Sequence, residues 1–144
     1  MIKKSDYVDQ FKRDLKSYSF KKLELIEIND NIHALEVRMY EASGISYEHK
    51  EPTSSPNAYK TPMQNEMHLM EQLLSKKKFI EWWLLEMDKK IDLLGEQMKS
   101  IILDCYVFKK SHDIVAFDNG YNHNVQMYRD IEKEILKILK LQEG

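Results

Sequence analysis

A single cysteine, Cys105, is all that this 144-residue chain carries, so no disulfide closes within it. A small oxidised scaffold is thereby excluded, and a reducing compartment is expected. The three prolines, Pro52, Pro56 and Pro62, crowd into one window, and there are only four glycines. Elsewhere the backbone meets no residue that must break a helix. Apolar residues rarely alternate with polar ones over a strand's length, so little or no sheet is expected. No stretch approaches the roughly 20 apolar residues of a membrane span. The start of the chain, Met1 to Phe11, lacks the apolar run of a secretory signal. A cytoplasmic chain without membrane contact follows as the expectation. A strong charge of one sign is missing as well. The net charge of −2 and pI of about 6.2 withhold the basic footprint usual in nucleic-acid binders.

The parts for catalysis are equally scarce. There is no Gly-rich phosphate loop, no HExxH and no nucleophile on a strand-to-helix turn. His33, His49, His68, His112 and His123 are scattered, and Cys105 has no CxxC partner. A di-metal bundle needs Glu-x-x-His on two helices. The nearest approach is Asp30 with His33, and that pair stands alone. No enzyme activity, metal or cofactor is expected.

What the chain does have is helix. Charged residues make up 32% and hydrophobic ones 42%, the profile of a Glu-, Lys- and Leu-rich all-α protein with enough apolar surface for a core. An elongated helical bundle with a C-terminal helix-turn-helix is predicted. Its segments are an N-terminal arm over 1–44, an exposed Pro/Ser linker over 45–61, a central helix over 62–95 and a C-terminal domain over 96–144. In the arm, Ser5 is a candidate N-cap and Gly44 a candidate terminator. Val8, Phe11, Leu15 and Tyr18 form one apolar stripe, and Leu25, Ile28, Ile32, Leu35 and Met39 form a second. The two are out of phase near Tyr18-Ser19-Phe20, so the helix bends there or two helices meet. Thr61-Pro62 restarts the chain as cap and first helical residue. Met70, Leu73, Ile80, Leu84, Met87, Ile91 and Leu94 make the central stripe. Trp82 and Trp83 lie about 100° apart on a helix. One is expected in the core and the other at a flank, where it can anchor a partner.

The last forty residues carry the functional signal. Lys109-Lys110 close one helix and Ser111 caps a short second one, His112 to about Asp118. Asn119-Gly120 is a turn signal, and Asn122 is a candidate cap for a long final helix. Its apolar positions are Val125, Tyr128, Ile131, Ile135 and Ile138, widened by Leu136 and Leu139. A helix-turn-helix needs apolar residues on its first helix, here Ile114, Val115 and Ala116. It needs a turn residue at positive φ, here Gly120. It also needs polar groups early on its second helix. Asn122, His123, Asn124, Gln126 and Arg129 meet that need, with Asn and Gln suited to adenine and Arg to guanine. Lys109, Lys110 and Lys133 are candidate phosphate contacts. Against this stands the charge from Glu96 onward, seven Lys or Arg facing eight Asp or Glu. The alternative is a protein-binding regulator, an antirepressor or an inhibitor of a host complex, acting through helical faces and Trp82/Trp83. A third is a structural adaptor.

The text Tyr106-Val107-Phe108-Lys109-Lys110-Ser111, then Val115-Ala116, Gly120-Tyr121-Asn122 and the run Ile131 to Leu139, resembles phage late-gene transcription regulators of the RinA/ArpU kind. About thirty residues match in text, and most of the chain in layout. Asn119, where that family has an aliphatic residue, and Arg129, the one early cation of the last helix, depart from its pattern. The resemblance implies a sigma-factor-like C-terminal helix-turn-helix, double-stranded DNA as partner and the host cytoplasm as location. From the arm and the central helix, a homodimer or higher oligomer through helical faces is expected.

Overall fold

The computed structural model describes residues 3–48 and 62–143. Among them every regular element is helical: α1 (Lys4–Glu48), α2 (Pro62–Asp92), α3 (Glu96–Ile102), a π-turn (Leu103–Val107), α4 (His112–Asp118) and α5 (Asn124–Glu143). No helix among the described residues is long and apolar enough to cross a membrane.

α1 is one unbroken helix of 45 residues. Its first bond, Tyr7 N–H to Lys3 C=O at 3.0 Å, places the cap at Lys3, two residues before Ser5. It also runs through Gly44, the expected terminator, and into the expected linker as far as Glu48. A helical glycine costs about 1 kcal/mol relative to alanine. With no proline before Pro52, that cost weakens the helix without ending it. Pro62 occupies the first position of α2 as expected. Thr61, most of the Pro/Ser linker and His49 lie outside the described residues.

The chain forms two compact units, residues 1–22 with 83–144, and residues 23–82. The boundary in α1 falls just after Tyr18-Ser19-Phe20, where its apolar stripe changes phase without a break in the helix. In the first unit Val8, Phe11 and Leu15 of α1 join Met87 and Ile91 of α2, Leu94, Ile101, Ile102 and the π-turn residues Cys105, Tyr106 and Val107. Val115 and Ala116 of α4 and Met127, Ile131, Ile135 and Ile138 of α5 complete that core. Each such aliphatic side chain contributes about 1.5–3 kcal/mol by leaving water. In the second unit Ile28, Ile32, Leu35 and Ile80 are buried, and Leu25, Met39, Met70 and Leu73 are half-buried.

Gly95 serves as the N-cap of α3 in extended conformation, and its N–H donates to Glu134 Oε1 of α5 at 2.9 Å. A carboxylate near the start of α3 is favoured by the exposed N–H groups there. Tyr18 on α1 donates its hydroxyl to Asp88 of α2. Burial is the main reason this phenol's pKa is raised, followed by its bond to Asp88.

Candidate nucleic-acid interface

The region that bears the proposed contacts is built from the π-turn upward. Phe108 N–H donates to Leu103 C=O at 2.9 Å, the five-residue step of a π-turn. Lys109 then takes a left-handed conformation, φ 54°, the only non-glycine described with positive φ. Lys110 N–H closes the turn on Asp104 C=O at 2.9 Å, and its Nζ reaches the Asp104 carboxylate at 3.2 Å. The predicted end at Lys109-Lys110 is therefore observed, though neither the π-turn nor the left-handed Lys109 is visible in the apolar spacing.

His112, the first residue of α4, locks three elements together. Its Nε2 lies 3.3 Å from the Cys105 carbonyl, and its Nδ1 2.5 Å from the Tyr128 hydroxyl on α5. A carbonyl can only accept, so Nε2–H is the donor of that bond, and the tautomer with its proton there leaves Nδ1 to accept from Tyr128. Tyr106 and Tyr128 meet the ring edge-on at 5.5 and 5.6 Å. The sequence marks His112 only as a first-turn residue. Its hold on a carbonyl at the C-terminal end of the preceding helix leaves no signature in periodicity.

Ser111 stands at the N-cap of α4, as expected, but its hydroxyl makes no capping bond. Val115 and Ala116 face the core, whereas Ile114 is 59% exposed and does not. The turn forms as predicted, with Gly120 at φ 83°. Tyr121 N–H bonds Ala116 C=O at 2.9 Å and Gly120 N–H bonds Phe117 C=O at 3.1 Å, the paired closure of a left-handed helix end. Asn119 adds a side-chain bond to Val115 C=O at 2.7 Å.

α5 starts at Asn124, so Asn122 does not cap it. Its buried stripe begins with Met127, and Val125 is 55% exposed. Three-residue steps explain the difference. Each falls about 60° short of a full turn, so counting back from Ile131 by threes drifts off the core face before reaching Val125. A step of four lands on Met127. The outward face holds Gln126, Arg129, Lys133, Lys137 and Lys140, at steps of three and four, all exposed. The four cations of α5 thus share one face although the region as a whole is acidic.

Of the predicted DNA-contacting residues, Lys109, Lys110, Asn122, His123, Gln126, Arg129 and Lys133 are exposed and Asn124 is half-buried. Asn124 donates to Asp113 Oδ1 at 2.7 Å, which ties the start of α5 to that of α4. Gln126 lies within 3.3 Å of Asp130, which also accepts from the Tyr121 hydroxyl at 2.7 Å. Burial, and then that carboxylate, push the Tyr121 phenol up to about 12. A shallow groove of about 410 Å³ beside this row is lined by Met98, Tyr121, Lys133 and Lys137 among others.

The two tryptophans divide as their spacing requires. Trp83 packs against the core of the first unit, with Lys21 Nζ 5.8 Å from its ring centre. Trp82 is 57% exposed and meets Phe79 at 6.2 Å. Among the described residues no three His, Cys, Asp or Glu side chains are grouped to hold a metal. No family model, curated protein or solved structure matches the chain.

Proposed function

We propose that this chain is a DNA-binding transcriptional regulator whose α5 is offered to the major groove. The resemblance in residues 106–139 motivates the reading. The observation that carries it is the outward row Gln126, Arg129, Lys133, Lys137 and Lys140 on the face opposite Met127, Ile131, Ile135 and Ile138. Phosphate neutralisation depends on where cations stand rather than on their sum. In this reading Asn122, His123, Gln126 and Arg129 meet base edges, and Lys109, Lys110 and Lys133 meet the backbone. Asn124 serves by holding α4 to α5.

The test is fluorescence anisotropy with duplex DNA from the gene's own neighbourhood, against a scrambled duplex, at two salt concentrations. Affinity is expected to fall steeply with salt and to favour the native duplex. Lys133→Ala should weaken both duplexes alike and reduce the salt slope by about one unit. Arg129→Ala should cost about 1–3 kcal/mol on the native duplex and erode the preference. An absence of binding at low salt sinks the proposal.

A second reading, regulation by binding a protein, is favoured by the exposed Ile114 and Phe117, which share one face of α4, and by the exposed Phe79–Trp82 pair. Large apolar groups in water are frequent anchors at interfaces. Under it, Phe117→Ala and Trp82→Ala abolish regulation while Arg129→Ala leaves it intact. Trp83 is half-buried against the core of the first unit, so Trp82 is the candidate anchor with more free surface.

A further inference from the structure

The face of α1 that turns away from Ile28, Ile32 and Leu35 carries a second pattern. Leu23, Ile26, Asp30, His33, Val37 and Tyr40 follow one another at steps of three, four, three, four and three. All six are exposed, Leu23 by 65%, Ile26 by 57%, Val37 by 42% and Tyr40 by 83%. Lone apolar residues on a surface are ordinary. A strict three-four alternation kept on one face is the seam of a coiled coil. Over these residues it runs about 25 Å at ~1.5 Å per residue.

The order of steps reads the same in both directions, and so does the chemistry. About the midpoint between Asn31 and Ile32, Leu23 mirrors Tyr40, Ile26 mirrors Val37, and Asp30 mirrors His33. An antiparallel copy of the same helix therefore sets apolar against apolar in the four outer layers. In the two central layers it sets a carboxylate against an imidazole. A parallel copy would set Asp30 against Asp30, and an apolar partner would leave both polar groups unpaired. We propose that this seam is a homodimer contact: a second copy of the chain packs its α1 antiparallel on residues 23–40, with reciprocal Asp30–His33 pairs fixing the register. A twofold contact of this kind is self-complementary by construction. A central polar layer specifies alignment at some expense of affinity. The seam is short, so a dissociation constant in the micromolar range is expected. The inference stands apart from the DNA reading, since it uses none of the same residues.

Sedimentation equilibrium of the full chain over a range of micromolar concentrations tests it, with circular dichroism as the check on folding. Wild type should move from monomer to dimer. His33→Asp faces Asp30 with a second carboxylate at both central layers and should weaken the dimer at least about tenfold. The exchanged variant Asp30→His/His33→Asp restores both pairs and should recover it. For direction, Leu23→Cys and Tyr40→Cys variants should form a mixed disulfide when combined, each linking poorly to itself. Four results overturn the proposal: a wild type that stays monomeric, a dimer indifferent to His33→Asp, an exchanged variant that fails to recover, or Leu23→Cys linking efficiently to itself.

Discussion

At the scale of single residues, Lys109 is the point where the backbone and the proposed DNA contact make opposite demands. Its φ of 54° is a conformation that costs a residue with a Cβ about 1 kcal/mol. Lys109→Gly is expected to stabilise the protein by about 0.5–1 kcal/mol, raising Tm by roughly 2–4 °C. On the proposed reading, the same change should weaken DNA binding and flatten its salt slope. A calorimetric scan beside an anisotropy titration reads both, and a lower Tm contradicts the strain argument. Alkali provides a second residue-scale prediction. Burial, and then the Asp104 charge, lift the Cys105 thiol from 9.0 to about 11, and Tyr121 rises from 10.0 to about 12. Both groups favour their neutral form when folded. Their contribution to stability is therefore complete below about pH 9 and lost as pH climbs through about 11 and 12. Urea midpoints should hold level up to about pH 9 and fall beyond it, with the first part of the fall absent in Cys105→Ala. A midpoint that is level to pH 12 contradicts the prediction.

At the scale of elements, the sequence is legible where one face of a helix meets a core and where a turn needs a special residue. Gly120 and the stripe Ile131, Ile135 and Ile138 were readable for those reasons. The front of α5 was not, because three-residue steps from Ile131 led to Val125 when the core takes Met127. Met127→Ala is accordingly expected to cost about 2–5 kcal/mol and Val125→Ala within about 0.5 kcal/mol, both by denaturant titration. The reverse ranking would mean that α5 is turned otherwise. Ser5 and Gly44 misled because caps and glycines bias an end and a long helix can override them. The links that hold the candidate interface, His112 to Cys105 and Tyr128, Asn124 to Asp113 and Glu134 to Gly95, join residues from 7 to 39 positions apart. No periodicity encodes them. Glu134→Ala removes the partner of Gly95 N–H, and a loss of about 1 kcal/mol is expected.

At the scale of the molecule, the two units differ in how much they bury. Among the described residues, the unit of residues 23–82 holds four buried hydrophobic side chains, Ile28, Ile32, Leu35 and Ile80, of which Leu35 alone is fully buried. The other unit has the continuous core around α5. Opening free energy follows buried contacts, so amides of residues 28–35 should exchange with solvent earlier than those of residues 131–138. If the α1 seam pairs two chains, exchange over 23–40 should slow as protein concentration rises, while that of α5 stays fixed. Hydrogen exchange at two concentrations reads both effects. Uniform protection throughout would refute the ranking.

The π-turn at Leu103–Val107 makes the chain's length, as well as its composition, a structural variable. A π-turn is an α-helix wound with one residue in surplus. Deleting a residue from an ordinary helix turns everything beyond it by about 100° and pulls it back by about 1.5 Å. Deleting a residue on the half-buried side of this turn, Leu103 or Asp104, instead lets the surplus close into a regular α-turn, with Ile102 and His112 left close to where they stand. A one-residue deletion at Asp104 should therefore be better tolerated than one at Met98 or Ile135, with the loss of the Lys110–Asp104 ion pair, so that the chain can be shortened here without being re-threaded.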